Sequence, residues 1–191
     1  FAIGVTLVLL TVAIVFDSAY VDTGEFASKA MKECQNIAKV HVAFSSKEEK
    51  YRRVPAMSEI RYPQDAAYVH VCSNNTIEGT QFQEFPKTGK VPLIADVSSD
   101  IASRRVDYKQ FALFYAGAQK NLGPAGVTLL ILRDDLLLRS PESLATMFNY
   151  NTHAKEQSLY NTPPCFAIYA VGLVFQWLKA NGGLAGMEAI N

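Results

Sequence analysis

Residues 111–133 read FALFYAGAQKNLGPAGVTLLILR, two apolar runs joined by a polar, glycine-rich turn. The runs at 111–116 and 127–133 are typical of buried β-strands. The turn between them is too short to contain the helix that a parallel crossover needs, so the stretch predicts an antiparallel pair. One ammonium group, that of Lys120, lies in this turn at the end of the first strand.

The rest of the chain extends this pair into a larger sheet. Strand-like runs occur at 40–44, 67–73 and 92–96, and FASKAMKECQNIA (26–38) predicts an amphipathic helix. Strands that alternate with helices and long connections predict an α/β fold with a mixed, mostly parallel sheet flanked by helices. In such sheets ligands bind beyond the carboxyl ends of the strands.

Two further helices are predicted towards the end of the sequence. SPESLATMF (140–148) has the pattern of a short helix, and residues 161–183, NTPPCFAIYAVGLVFQWLKANGG, predict a long one. Asn161 or Thr162 is placed to cap the long helix, and Asn181 to end it. Its apolar residues cover most of its faces, which predicts deep burial.

The composition narrows the classes of function. About half of the 191 residues are hydrophobic, and 18 basic residues balance 18 acidic ones. A balanced chain has no field of one sign to attract nucleic acid or a charged membrane surface. The cysteines and histidines, three of each, show neither C-x-x-C nor metal-ligand spacing, so we expect no metal site and no disulfide framework. A reducing compartment such as the cytoplasm fits this pattern.

The opening segment FAIGVTLVLLTVAIVF (1–16) is apolar throughout. It is shorter than the roughly 20 residues that cross a bilayer, and it lacks the basic flank of a signal peptide. A buried helix running into a strand is the favoured interpretation. A membrane anchor is the alternative that the sequence leaves open.

Potentially reactive side chains follow three of the predicted strands: Thr76, Asp96 and Lys120. An amine, a carboxylate and a hydroxyl at one sheet edge meet the needs of pyridoxal 5′-phosphate. A lysine amine can form a Schiff base with its aldehyde, a carboxylate can keep its ring nitrogen protonated, and a hydroxyl can bond its phenolic oxygen. Taken singly, the three residues are more typical of a solvated lysine, a turn or cap aspartate and a turn threonine than of a cofactor site.

Several segments resemble the phosphoserine aminotransferase family, a group of pyridoxal-phosphate-dependent enzymes of fold type I. The resemblance runs from about residue 19 to the end and includes the segments SNNTIEGTQF, ADVSSDIASR, YAGAQKNLGPAGV, HAKEQSLYNTPP and FAIYAVGLVFQWL. The YAGAQKN segment is specific, because related cysteine desulfurases usually carry histidine where this chain has Gln119.

The resemblance implies a role for each residue of the site. Lys120 would be the Schiff-base lysine and the acid and base of the reaction, and Asp96 would pair with the pyridine nitrogen. Thr76 would bond the phenolic oxygen, and Gln119 the cofactor phosphate. Phe26 stands where the family commonly has a tryptophan that stacks on the ring, although Phe26 as a core residue of its helix is an equal alternative.

Asn161 and Thr162 match the pair with which the family reaches the cofactor phosphate of the other subunit. The resemblance therefore implies a homodimer. A position at the start of a helix suits anion binding. The alternative is that both residues only cap the long helix.

The resemblance also implies the domain organisation. Residues 1–191 would form the cofactor-binding large domain, incomplete at its N-terminus, with an atypical apolar segment at 1–18. The family's glycine-rich phosphate turn and a substrate-binding His-Arg pair would be missing before Phe1. A small C-terminal domain with a further arginine would be missing after Asn191.

The implied activity is a transamination of serine biosynthesis. 3-Phosphohydroxypyruvate and glutamate would give phosphoserine and 2-oxoglutarate, with pyridoxal 5′-phosphate as the cofactor. Two alternatives stay open: a related aminotransferase that acts on another amino acid, and a non-catalytic fragment that at most dimerises.

Overall fold

The structure, a computed structural model, describes residues 17–191. The apolar segment 1–16 and the predictions made for it lie outside the described residues. Within the described part, six strands form one sheet. In their order across the sheet they are β2 (Val40–Ser45), β1 (Ser18–Asp22), β3 (Val69–Cys72), β6 (Leu93–Asp96), β7 (Leu113–Gly117) and β8 (Thr128–Leu132). A two-stranded ribbon, β4 (Asn74–Asn75) and β5 (Thr80–Gln81), follows β3.

The sheet is parallel except at one edge. Strands β2, β1, β3, β6 and β7 run in the same direction, whereas β8 runs antiparallel to β7. Both the mostly parallel sheet and the antiparallel pair are therefore confirmed. The carboxyl ends of β3, β6 and β7 share one edge, where Cys72 pairs with Asp96 and Asp96 with Tyr115.

Helices flank the sheet and form most of the C-terminal part. The helices of a full turn or more are α1 (Glu25–Gln35), α2 (Ala118–Asn121), α3 (Asp134–Leu137), α4 (Tyr150–Lys155), α5 (Cys165–Ala180) and α6 (Gly183–Ile190). Single 3₁₀ turns occur at Lys47–Glu49, Met57–Glu59, Tyr108–Gln110 and Thr146–Phe148. Among residues 17–191, no helix combines the length and apolarity needed to span a membrane.

Alternation along the strands divides the core between the two faces of the sheet. One face is aliphatic and phenylalanine-rich, with Val21, Val71 and Ala95 among its buried residues. The other face holds Tyr20 and Tyr115 under helix α1. Asp96 lies two residues beyond Ile94, so the carboxylate projects on this second, more polar face.

Several polar groups buried on the second face are hydrogen-bonded to one another. The hydroxyls of Tyr20 and Tyr68 are hydrogen-bonded at 2.7 Å, and His70 Nε2 lies 3.0 Å from Tyr115 Oη. Burial lowers the pKa of His70 to about 3, so its ring is neutral in the folded protein. His70 therefore supports the sheet by packing and hydrogen bonding, without a charge.

Two helix predictions need correction. The predicted helix at 140–148 is wrong, because only the 3₁₀ turn Thr146–Phe148 forms there. The long helix is confirmed as α5, but it begins at Cys165, and Pro164 occupies the N-cap position without a side-chain capping bond. Asn161 and Thr162 therefore lie outside the helix and do not cap it.

The predicted deep burial of α5 is also wrong for the described residues. Ala167 and Val171 are its buried members, whereas Phe166 and Tyr169 are 78% and 64% exposed. The helix is apolar as its sequence predicts, but a helical pattern does not show which neighbouring surface covers it.

Candidate functional site

Lys120 lies at the junction of strand β7 with helix α2. The strand ends at Gly117, and Ala118 N–H donates to Val127 O at 2.9 Å, which closes the turn against the start of β8. Lys120 Nζ donates to Thr76 Oγ1 at 2.7 Å and lies 4.4 Å from the ring centroid of Phe26. Three predicted site residues from distant parts of the chain thus meet at one exposed amine.

Thr76 is held by the turn between β4 and β5. Asn75 Nδ2 donates to Thr80 Oγ1 at 3.0 Å and to Thr23 Oγ1 at 3.2 Å, and Gly79 N–H donates to Asn75 O at 2.8 Å. Gly79 has a φ of 73°, a left-handed conformation that favours glycine. This network sets Thr76 at the tip of the turn, facing the lysine.

Glu78, in the same turn, connects it to the helix of Phe26. Its Oε1 accepts the backbone N–H of Glu25 at 2.8 Å, at the first turn of α1. The N-cap residue of α1 is Gly24, which offers no side-chain cap, so Glu78 satisfies an N–H that would otherwise lack a partner in the helix. One carboxylate therefore fixes Thr76 and Phe26 relative to each other.

Asp96 ends strand β6 and is held by the residue two positions further on. Its Oδ1 accepts from Ser98 N–H at 2.9 Å and from Ser98 Oγ at 2.6 Å. Burial raises the pKa of Asp96, whereas the two Ser98 hydrogen bonds and the charge of Lys120 oppose that rise. The structure thus brings Asp96 and Lys120 into electrostatic contact at the same edge.

The thiol of Cys72 lies beside this carboxylate in the sheet register. Burial, with a further contribution from the charge of Asp96, raises the pKa of Cys72 well above its ordinary value. The group is therefore a neutral thiol and not a nucleophile. All three cysteines are free, and the described residues contain no cluster of His, Cys, Asp and Glu that could hold a metal ion.

Gln119 precedes the lysine and has a buried donor without a partner in the described part. No hydrogen bond reaches its Nε2, although the atom is shielded from solvent. A buried amide donor that the chain leaves unpaired is costly. Its position next to Lys120 suits an acceptor that the protein itself does not supply.

Asn161 and Thr162 are exposed in the segment between α4 and α5. Asn161 Nδ2 donates to Thr162 O at 3.3 Å, and among the described residues no hydrogen bond joins either side chain to Lys120 or Asp96. The structure therefore brings Phe26 and Thr76 into contact with Lys120, and Asp96 close enough to feel its charge. Gln119 lies at the preceding position of the same helix, and the Asn161–Thr162 pair is not brought to this site.

Sequence reasoning missed Ser98 and Glu78. The spacing Asp96-x-Ser98 at a strand end is a local turn pattern, so Ser98 could have been predicted from the sequence. The hydrogen bond from Glu25 to Glu78 joins residues 53 positions apart, so no local sequence pattern predicts it.

Comparison with known proteins gives a consistent result. Residues 18–191 match the family model described as aminotransferase class-V. The chain is 57% identical over 172 residues to a phosphoserine aminotransferase of Geobacillus kaustophilus and 55% identical to one of Niallia circulans, covering 90% of this chain and 48% of each relative. The chain thus spans about half the length of the curated relatives it matches.

Solved structures agree with the sequence relatives. A phosphoserine aminotransferase from Bacillus circulans subsp. alkalophilus superposes with a TM-score of 0.93 at 49% identity, over 98% of this chain and 53% of that one. A PLP-bound phosphoserine aminotransferase from Trichomonas vaginalis gives 0.88 at 32% identity, over 99% and 54%.

Proposed function

The chain belongs to the class-V aminotransferase family, and from this premise we propose that it serves the transamination of 3-phosphohydroxypyruvate by glutamate. The products are phosphoserine and 2-oxoglutarate, the cofactor is pyridoxal 5′-phosphate, and the reaction belongs to serine biosynthesis. Support for the substrate comes from relatives at 50–57% identity that are named phosphoserine aminotransferase.

The observation that carries the proposal is the meeting of Lys120 with Thr76 and Phe26. An amine 2.7 Å from a hydroxyl and 4.4 Å from the centre of an aromatic ring stands where a flat aldehyde-bearing ligand would need it. When bound, the cofactor supplies an electron-withdrawing ring that stabilises negative charge on the substrate's α-carbon.

The residues present fit this cofactor. The unpaired buried Nε2 of Gln119 would donate to its phosphate, and Thr76 Oγ1 would bond its phenolic oxygen. Asp96 is an acceptor for its ring nitrogen, and Phe26 offers a flat face. The donor set and the amine of Lys120 therefore suit the chemistry of the group.

Lys120 has two tasks in this proposal. Its Nζ would hold the cofactor covalently until the amino group of the incoming amino acid displaces it, and the amine freed in this way would take the proton from the α-carbon as a general base. Thr76 Oγ1 orients the amine through the observed hydrogen bond. Asp96 stabilises positive charge on the ring nitrogen.

The proposal includes a homodimer in the cytoplasm. Asn161 and Thr162 are exposed, and no hydrogen bond within residues 17–191 joins either side chain to Lys120 or Asp96, which suits residues that would reach the cofactor phosphate of a second subunit. The three cysteines are free thiols, which suits a reducing compartment.

The first experiment tests cofactor binding by the 191-residue chain. We expect an absorbance band near the edge of the visible on addition of pyridoxal 5′-phosphate, and covalent retention of the cofactor after borohydride reduction. Lys120→Ala should abolish both, whereas Lys109→Ala, an exposed lysine on another turn, should preserve both. A band that survives Lys120→Ala would refute the assignment of the lysine.

The second experiment tests the substrate. Phosphoserine should bleach the band of the loaded chain in a single half-reaction, and alanine should not. Bleaching by alanine alone would favour an aminotransferase for another amino acid. A loaded chain that responds to no amino acid, including glutamate, would favour the non-catalytic alternative.

A further inference from the structure

Ser98 makes three hydrogen bonds that connect two strands of the site. Its N–H and its Oγ–H both donate to Asp96 Oδ1, at 2.9 and 2.6 Å, and its Oγ accepts the N–H of Gly117 at 3.0 Å. The side chain is buried, with 4% of its surface exposed. The hydroxyl therefore donates its one proton to the carboxylate of Asp96 and accepts, through a lone pair, the N–H of Gly117 on the next strand.

The first consequence concerns the carboxylate. Two donors on one oxygen of Asp96 fix the rotation of the carboxyl group, and charge-assisted bonds of this kind are short and strong. Both bonds go to Oδ1, so Oδ2 takes no part in this clamp. A carboxylate at the end of a strand thus acquires one defined orientation.

The second consequence concerns the distance between strands. Gly117 is the last residue of β7, and the helix that carries Lys120 begins at the next residue. The bond from Gly117 N–H to Ser98 Oγ lies beyond the last ladder pair of β6 with β7, Asp96 with Tyr115. Ser98 therefore extends the connection of the two strands to the point where the lysine turn departs.

We propose that Ser98 is a positioning residue that orients the carboxylate of Asp96 towards the cofactor's ring nitrogen and fixes its spacing from the Lys120 turn. This inference rests on the proposed function. Ser98 touches neither cofactor nor substrate, and it acts through Asp96. A purely structural serine would stabilise the turn but would not distinguish ligands by their ring nitrogen.

The test compares pyridoxal 5′-phosphate with its 1-deaza analogue, in which a CH group replaces the ring nitrogen. Apparent dissociation constants of both ligands are measured by absorbance and fluorescence titration for the wild-type chain, Ser98→Ala and Ser103→Ala. Ser103 lies in the same turn, and its Oγ bonds the carbonyl of Asp100 instead of a carboxylate. It is the matched control.

We expect Ser98→Ala to weaken binding of pyridoxal 5′-phosphate about tenfold, the order expected for loss of a hydrogen bond to a charged group. Binding of the 1-deaza analogue should change less than about twofold, and Ser103→Ala should leave both constants unchanged. Equal losses for both ligands in Ser98→Ala, or no loss for either, would overturn the inference.

Two provisions keep the outcomes separate. If Ser98→Ala does not fold, Ser98→Cys replaces it, because a thiol is of similar size and a weak donor, and the same ratio of dissociation constants is expected to change. If the wild-type chain fails to bind the cofactor covalently, the proposed function itself fails. If the wild-type chain binds the cofactor but the Ser98 variant shows the same ratio of the two dissociation constants, only the role of Ser98 is refuted.

Discussion

At the scale of single residues, Gly117 leaves room for the side-chain amide of Gln119. A Cβ at this position would lie 2.7 Å from Gln119 Oε1 and 3.0 Å from its Nε2. The φ of Gly117 is −71°, which any residue adopts, so a side chain at this position would act by moving the Gln119 amide and not by straining the backbone. The missing side chain keeps the unpaired Nε2 of Gln119 in its buried position.

Gly117→Ala should therefore displace the Gln119 amide and weaken binding of the cofactor phosphate. We expect the affinity for pyridoxal 5′-phosphate to fall about fivefold to tenfold, the order of a lost hydrogen bond to an anion. The affinity for pyridoxal, which has no phosphate, should stay the same. Titration of both ligands measures the difference.

Gly172→Ala in helix α5 is the control, since a Cβ there meets nothing within 4 Å. It should leave both affinities unchanged. Should Gly117→Ala weaken pyridoxal as much as its phosphate, Gln119 would not be the phosphate contact.

At the scale of elements, the join between helix α1 and the β4–β5 turn depends on Glu78. Its carboxylate accepts the N–H of Glu25, and acceptors at a helix N-terminus are favourable because of the free N–H groups and the helix dipole. The Phe26 face and the Thr76 hydroxyl belong to these two elements, so the carboxylate sets the gap between them.

Glu78→Ala should lower the free energy of unfolding by about 1 kcal/mol, the typical effect of losing an N-terminal helix cap. Urea unfolding followed by circular dichroism measures it. Glu84→Ala is the matched control, because Glu84 is an exposed glutamate for which the described residues provide no ion pair or hydrogen bond. Equal stability of the two variants would show that the bond to Glu25 adds nothing to the helix.

Some of the strands and helices could be predicted from the sequence, and others could not. Strands β3, β6 and β7 were predicted because apolar runs bounded by turns are a local property, and their common direction placed Thr76, Asp96 and Lys120 at one edge. The exposure of Phe166 on α5 was not predictable, because apolar residues do not identify the surface that covers them. The helix predicted at 140–148 does not form. The prediction used a capping pattern, whereas most helical stability comes from packing, and this segment is mostly exposed.

At the scale of the whole molecule, the neutral His70 makes stability depend on pH. In an unfolded chain a histidine has a pKa of about 6.5, whereas burial lowers the pKa of His70 to about 3 in the fold. Between these values only the unfolded chain takes up the proton. The free energy of unfolding is therefore not reduced by His70 above about pH 6.5, and it decreases as the pH falls from there towards about 3.

We expect the free energy of unfolding to be about 2 kcal/mol lower at about pH 5 than at about pH 7.5 through His70 alone. His70→Gln, which retains a polar group towards Tyr115 but does not titrate, should lack this part of the decrease. Urea unfolding of both proteins at the two pH values isolates the histidine, since the other titrating groups are shared. Parallel decreases in the two proteins would exclude His70 as the cause.

The antiparallel pairing of β7 with β8 has a consequence for the order in which the protein assembles. The lysine turn joins neighbours along the chain, so this hairpin closes a short loop and can form early, whereas Thr76 and Asp96 reach it only after long-range parallel pairing. When a complete chain folds, the Lys120 amine is therefore expected in its turn before Thr76 and Asp96 lie beside it.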